Sequence, residues 1–305
     1  MKIYYGKAVY GKEEIKASID VLKNKSLSLI DGKSVKKLEN KIANTFGKKY
    51  GLMVNSGSSA NLLAFACLKL KKGSEVITPT LTFSTTVAPI YQLGLIPHFI
   101  DVDKNNFVAN IEQIVKAINK KTKAIIIPNL LGNVPDWKKI HKISKKYDLK
   151  IIEDSADTIG YKLYQSNFGN FSDITTNSMY ASHIITGAGF GGMVCFNDKK
   201  LYEQAKLLRG WGRSSAIFNE SEGIEKRFST KVDGIPYDGK YIFEDLGYNF
   251  LPSEISAAFA LEQLKKLPNN IKIRIKHFEK LKKFFSKYPD LFNIPSQLKG
   301  LKTPW

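Results

Sequence analysis

Short runs that are apolar throughout alternate along this chain with longer stretches in which apolar residues return every three or four positions. The two patterns predict strands and helices in turn. Strands are predicted at 50–55 (YGLMVN), 75–79 (EVITP), 96–102 (IPHFIDV), 123–128 (KAIIIP), 150–155 (KIIEDS), 174–179 (ITTNSM) and 191–196 (GGMVCF). Helices are predicted between them at 57–70, 83–93, 110–120, 136–147 and 198–209. Several strands have no polar face, which suits a mostly parallel sheet covered by helices on both sides, the α/β class.

The pattern breaks over 212–245, where GRSSAIFNESEGIEKRFSTKVDGIPYDGKYIFED is polar, carries glycines and keeps no period. Long excursions of this kind are usually functional or disordered. Helical periodicity returns at 252–267, with Pro252 and Ser253 at its start and Glu254 in its first turn. A second, lysine-rich helix is expected after Pro268. The expected organisation is a large domain over 1–245 and the incomplete beginning of a small α+β C-terminal domain over 246–305.

Composition narrows the function classes. With 43% hydrophobic residues and mean hydropathy of −0.22, the 305-residue chain has ordinary globular composition. No apolar run is long enough for a membrane span, and MKIYYGKAVYGKEE lacks the apolar stretch of a signal peptide, so the expected location is the cytoplasm. Net charge is +19, from 47 Lys and Arg against 28 Asp and Glu, but the lysines are scattered along helical stretches such as VKKLENKIANTFGKKY. That is a solvated face rather than a nucleic-acid footprint. Cys67 and Cys195 stand on different elements, which excludes a disulfide framework and offers no metal-ligand pair; no metal is expected.

Three stretches carry chemistry. In NSGSSAN (55–61) a strand ends and a helix begins, so free N–H groups and hydroxyls can hold a phosphate, and Gly57 lets the backbone approach closely. IIEDSAD (151–157) sets Glu153, Asp154 and Asp157 at the carboxyl end of a strand, where open α/β sheets bind ligands. Finally, NSMYASHIITGAGFGGMV (177–194) places Ser178 and His183, one of four histidines, ahead of a glycine-rich turn. With an ordinary pKa near 6.5, an imidazole there can accept and return a proton.

In this order, over about residues 5–268, these pieces resemble the DegT/DnrJ/EryC1/StrS sugar aminotransferases, a branch of the fold type I pyridoxal phosphate enzymes. NSGSSANLLA resembles the family's phosphate-binding helix start, TPTLTFSTTVAPI its cofactor-stacking segment, EDSADTIG its pyridine-binding strand end, and YNFLPSEISAAFALEQL its long helix after the active-site loop. The resemblance implies a fold type I large domain with Asp154 on the pyridine nitrogen and Phe83 stacked on the ring. It gives the phosphate to Gly57, Ser58 and Ser178, with Asn249 reaching across from the partner subunit of a homodimer with shared active sites. Asp157 falls where many relatives carry a glutamine near the ring hydroxyl.

In the aminotransferases the position of His183 is the Schiff-base lysine. Histidine there, within SMYASHIIT and followed by RGWGR, resembles the 3-dehydrase subgroup. The resemblance implies pyridoxamine phosphate-dependent C3 dehydration of a nucleotide-linked 4-keto-6-deoxyhexose, for 3,6-dideoxyhexoses of surface polysaccharide, with His183 and Asp154 catalytic and glutamate as amino donor. One style of the subgroup, acting on CDP-sugars, carries an iron–sulfur cluster on cysteines after WGR; the GDP-sugar style has none. A [2Fe–2S] centre needs four such ligands, and WGRSSAIFNESEGIEKRF contains no cysteine, so no cluster is expected. KYIFEDLGYNF lies closer to the CDP-sugar form, which leaves the nucleotide open. A sugar aminotransferase and a catalytically silent nucleotide-sugar binder are the alternatives.

Overall fold

The computed structural model describes residues 6–25, 29–163, 168–217 and 227–304. Its main sheet holds β1 (Tyr50–Val54), β2 (Glu75–Pro79), β3 (Ile96–Ile100), β4 (Thr122–Pro128), β5 (Lys150–Asp154), β7 (Ile174–Ser178) and β8 (Gly192–Phe196), in the order β1-β8-β7-β5-β4-β2-β3. β3, β2, β4, β5 and β7 run parallel, whereas β8 is antiparallel to both β7 and β1. This is the mostly parallel mixed sheet of the α/β expectation, and each strand lies within two residues of its predicted bounds.

Eight α-helices are described: α1 (Lys12–Lys23), α2 (Lys33–Thr45), α3 (Gly57–Ala66), α4 (Ser84–Gln92), α5 (Ile111–Ala117), α6 (Trp137–Tyr147), α7 (Lys199–Arg209) and α8 (Glu254–Phe285). α6 shows how local sequence sets the ends: the Asp136 carboxylate accepts from Lys139 N, and Asp148 closes the helix at φ 51°. Trp137, Ile140 and Ser144, on one helical face, are its buried positions. Alternate strand residues serve different layers. Ile126 and Ile152 pack with Leu63 and Ala64 of α3, while Ile125, Ile127 and Ile151 pack with Trp137 and Ile140 of α6. Both faces are therefore apolar, and each fully buried Ile or Leu contributes roughly 1.5–3 kcal/mol relative to exposure. Among the described residues, no helix is long and apolar enough to cross a membrane.

Two features depart from the sequence pattern. α8 runs through Pro268 as one helix of 32 residues instead of two. Proline removes one N–H and crowds the preceding turn, but Leu264 and Leu267 before the crowded site and Ile271 after it pack on the same core cluster and hold both halves in line. α1, which has no predicted counterpart, is held by contact with α8. Its Glu14 is fully buried, accepting from Lys266 Nζ at 2.7 Å, Gln263 Nε2 at 2.7 Å and Gly11 N at 2.8 Å.

The same contacts predict a pH-dependent stability. Burial alone raises the Glu14 pKa, but the Lys266 ammonium, the Gly11 N–H and the Gln263 amide outweigh it and hold the carboxyl down to about 2, against an ordinary 4.5. A depressed folded pKa contributes stability above the unfolded value and loses it as pH falls through the folded one. Glu14→Ala is expected to lower unfolding free energy at pH 7 by about 2–3 kcal/mol, the scale of hydrogen bonds to a charged group. In urea titrations the gap from the unaltered chain should shrink as pH drops from 4.5 toward 2. A gap constant over that range would show that the contact stabilises only by packing.

Among the described residues, four short strands lie outside the main sheet. In the polar excursion, β9 (Lys231–Val232) and β10 (Ile235–Pro236) form a hairpin turned by Asp233 and Gly234, at φ 51° and 82°. Residues 218–226 of that excursion lie outside the described residues. β11 (Leu301–Lys302) returns to pair with β6 (Lys162–Leu163) beside the main sheet, and Ser296 N donates to Asn105 O at 2.6 Å.

Candidate active site

The last residues of β5 point to opposite faces, because side chains alternate along a strand. Glu153 faces a buried polar cluster, where its carboxylate accepts from Asn129 Nδ2 at 2.9 Å and from Ser155 Oγ and Tyr161 Oη at 2.8 Å. Asp154 faces α3 and α4, whose Asn61 Nδ2 and Thr86 Oγ1 donate to its Oδ2 at 2.9 and 2.8 Å; Ala156 N donates to Oδ1 at 3.2 Å. Thr176 of β7 in turn donates to Asn61 Oδ1 at 2.6 Å, which fixes the amide with its nitrogen toward Asp154. The buried carboxylate is thus oriented from three elements. Sequence reasoning found Asp154 but missed Asn61, Thr86 and Thr176, although a buried asparagine among the apolar neighbours of ANLLAFA is a signal of a polar partner.

Asp157, on the loop after β5, accepts from Leu131 N at 3.1 Å. Burial pushes its carboxyl up to about 6, and the neighbouring Asp154 charge adds to the rise. Two carboxyl groups therefore share this end of the sheet, Asp154 fixed in place by its hydrogen-bond donors and Asp157 with its pKa pushed up.

Opposite them lies the start of α3. Ser56 caps the helix, its Oγ accepting from Ser59 N at 3.0 Å and its carbonyl from Ala60 N at 3.0 Å. The N–H groups of Gly57 and Ser58 begin the first turn, with no helical carbonyl behind them. A Cβ on Gly57 would stand 2.6 Å from Ser178 Cβ and 2.9 Å from its Oγ, so glycine is required here for close approach. Ser58 Oγ donates to Thr85 Oγ1 at 2.9 Å, joining the cup to α4. Phe83 precedes α4 as a residue 70% exposed, and its carbonyl accepts from Thr86 N at 3.0 Å.

His183 sits on the turn that follows β7. Its backbone N–H donates to Tyr180 O at 3.0 Å, and its Nδ1 lies 3.4 Å from Ser178 O. A carbonyl partner makes Nδ1 the protonated nitrogen, leaving Nε2 basic. Burial lowers the imidazole pKa from 6.5, opposed by the Ser178 carbonyl and the Asp154 charge. The Tyr180 ring stands edge-on, 5.9 Å from the imidazole centroid. The glycine-rich turn then brings β8 to the cup: Gly191 N donates to Asn55 O at 3.0 Å, and a Cβ on Gly192 would lie 2.1 Å from Ser56 O. Gly57, Ser178 and His183 are joined by direct contacts, as Asp154 is to α3 and α4. Asn249 is exposed on the neighbouring segment, beside Phe250, whose carbonyl accepts from Asn55 N at 3.2 Å.

Residues 9–301 match the model of the DegT/DnrJ/EryC1/StrS aminotransferase family. The chain belongs to this family. Within the family it is 39% identical over 266 residues to the GDP-4-keto-6-deoxy-D-mannose 3-dehydratase of Yersinia pseudotuberculosis, covering 85% of this chain and 66% of that protein. The chain therefore spans slightly less than two thirds of that relative's length. The structure of the E. coli GDP-4-keto-6-deoxy-D-mannose-3-dehydratase with bound hydrated PLP superposes with a TM-score of 0.84 at 34% identity, over 100% of this chain and 78% of that one. A GDP-4-keto-6-deoxymannose-3-dehydratase with a trapped PLP-glutamate geminal diamine superposes with a TM-score of 0.83 at 31% identity and the same coverage. Family membership confirms the aminotransferase-like fold expected from the motifs.

Proposed function

We propose that this chain binds pyridoxamine 5'-phosphate and removes the C3 hydroxyl from a nucleotide diphosphate-linked 4-keto-6-deoxyhexose. The observation that carries the reading is His183: an imidazole oriented by Ser178 and under the influence of the Asp154 charge, at the position where the resemblance puts lysine in the aminotransferases. Support also comes from the likeness to two 3-dehydratase structures, one with PLP and one with a PLP-glutamate adduct.

The chain's residues fit a phosphorylated pyridine. A helix start without a Cβ at Gly57 suits a phosphate, the fixed and buried Asp154 carboxylate suits a protonated ring nitrogen, and the exposed Phe83 offers a stacking face. Gly57, Ser58 and Ser178 would hold the phosphate, Asp157 the ring hydroxyl, and Asn249 would complete the phosphate site of the partner in a homodimer. When bound, the cofactor would supply an amine for the C4 ketone and an electron sink for a proton leaving its methylene carbon. Asp154 keeps the ring nitrogen positive. His183 Nε2 accepts the methylene proton and returns it to the departing C3 oxygen, so one imidazole serves as base and then acid. The nitrogen would leave with the sugar as an enamine, which water hydrolyses to the 3-deoxy ketosugar and ammonia, and glutamate would then restore the amine of the cofactor.

The direct test is mass analysis of the sugar nucleotide after incubation with protein and pyridoxamine phosphate, starting with the GDP-linked 4-keto-6-deoxymannose that the relatives' names suggest. The sugar is expected to lose one oxygen atom. In parallel, borohydride should fail to fix pyridoxal phosphate to the chain, because an imidazole cannot form an imine with an aldehyde, and His183→Lys should make it reducible. Covalent capture by the unaltered chain, together with amino transfer to the sugar, would replace this reading with an aminotransferase. Binding of the nucleotide sugar without turnover would replace it with a silent binder.

A further inference from the structure

β1 is an edge strand, so the outward backbone groups of Met53 face no neighbouring strand. Side chains occupy them instead. Glu39 Oε1 accepts from Met53 N at 2.8 Å, and Arg209 Nη1 donates to Met53 O at 2.8 Å. The guanidinium, on a residue 2% exposed, also donates to Glu39 Oε1 at 3.2 Å and, through Nη2, to Asp31 Oδ2 at 2.6 Å. Arg209 acts through its main chain as well: its carbonyl accepts from Phe250 N at 3.1 Å, and Phe250 O accepts from Asn55 N at 3.2 Å. On either side, Tyr248 N donates to Leu208 O and Trp211 N to Tyr248 O, both at 2.7 Å.

These bonds close a ring from Met53 through Arg209 and Phe250 back to Asn55. One end of the ring leads into Ser56, Gly57 and Ser58; the other carries Asn249. We infer that Arg209 is a positioning residue that sets the first turn of α3 and the Asn249 segment in register, and so determines how tightly the cofactor's phosphate is held. The inference rests on the cofactor reading above.

Cluster chemistry points the same way. A buried ion pair is a weak source of stability, because desolvation offsets much of its attraction, and burial pushes Glu39 up to about 7 even with Arg209 beside it. What a guanidinium supplies is a rigid fork able to meet a carbonyl and two carboxylates at once, which the flexible point charge of a lysine cannot do. Among the described residues, the Arg209 side chain bonds to Met53, Glu39 and Asp31. Its effect on the cofactor therefore runs through the backbone.

The test compares two ligands of the intact chain, pyridoxamine phosphate and pyridoxamine, which share a ring and differ in the phosphate. Arg209→Lys is expected to weaken pyridoxamine phosphate by about tenfold, the scale of lost preorganisation, while pyridoxamine affinity stays within a factor of about two. Deoxygenation at saturating cofactor should be retained. Equal weakening of both ligands, or of neither, would overturn the inference. If Arg209→Lys fails to fold, Glu39→Gln carries the same comparison with the same two outcomes, since its amide oxygen can still accept from Met53 N while one carboxylate oxygen beside Arg209 becomes a donor. Failure of the unaltered chain to bind pyridoxamine phosphate would overturn this inference along with the cofactor reading, whereas an unchanged ligand ratio in the variants would leave that reading intact.

Discussion

His183→Asn is expected to bind pyridoxamine phosphate with nearly unchanged affinity while deoxygenating the sugar about 10²–10⁴ times more slowly, the range for loss of a positioned acid/base. The asparagine amide can still donate toward Ser178 O, the partner of Nδ1 in the unaltered chain, so the turn between Tyr180 and the glycine-rich segment keeps its anchor. It has no basic nitrogen to replace Nε2. In the unaltered chain burial lowers the imidazole pKa, so the free base predominates at neutral pH and the acid limb of the kcat/KM profile should lie below 6.5. That limb should lose its His183 component in the variant. A variant that deoxygenates at nearly the original rate would reduce His183 to a structural residue.

Asp154→Asn should fail at an earlier stage, in cofactor binding itself. Three donors converge on this carboxylate, from Asn61, Thr86 and Ala156, and an amide that presents its nitrogen to any of them sets donor against donor. Loss of the negative charge also strands a positive ring nitrogen in a buried site. Removing one partner of a buried pair costs about 3–5 kcal/mol, so cofactor affinity should fall on the order of 10²–10⁴-fold in a fluorescence titration. Because the Asp154 charge raises the His183 pKa, the imidazole should also titrate lower in this variant. Retention of tight binding would mean that another group faces the ring nitrogen. The two variants thus separate the chemistry from the seat: one binds without reacting, the other hardly binds.

Most of the sheet and its helices was legible in the sequence because each element advertises its own period. Ile125, Ile126 and Ile127 announce a strand buried on both faces wherever it lies in the sheet. Asp154 and His183 were legible because their residue types are unusual at a strand end and before a glycine turn. Asn61, Thr86 and Thr176 were not, since their meaning lies in a partner far along the chain, with Asp154 separated from Asn61 by 93 positions. Pro268 misled for a related reason: its local cost was readable, while the packing of Leu267 and Ile271 that offsets it was not. α1 stayed hidden because Ile15, Ile19 and Leu22 are exposed, so its apolar spacing does not mark the buried face; Glu14, a polar residue, does.

The order of strands also bears on how the chain avoids its own copies. An exposed edge is a template on which a foreign strand can pair and seed aggregates. On one side Glu39 and Arg209 already occupy the outward groups of Met53. The other edge is β3, five residues long and with partly exposed Ile96 and Phe99. Ile96 N–H is turned inward, donating to Ser74 O at 3.0 Å, so the next residue, Pro97, faces the open side. Proline brings no N–H to that side, and an approaching strand meets a gap where its first acceptor needs a donor. One edge is met by ionic side chains at Met53 and the other lacks a donor at Pro97, so a strand added at either end would find fewer partners than a regular ladder offers.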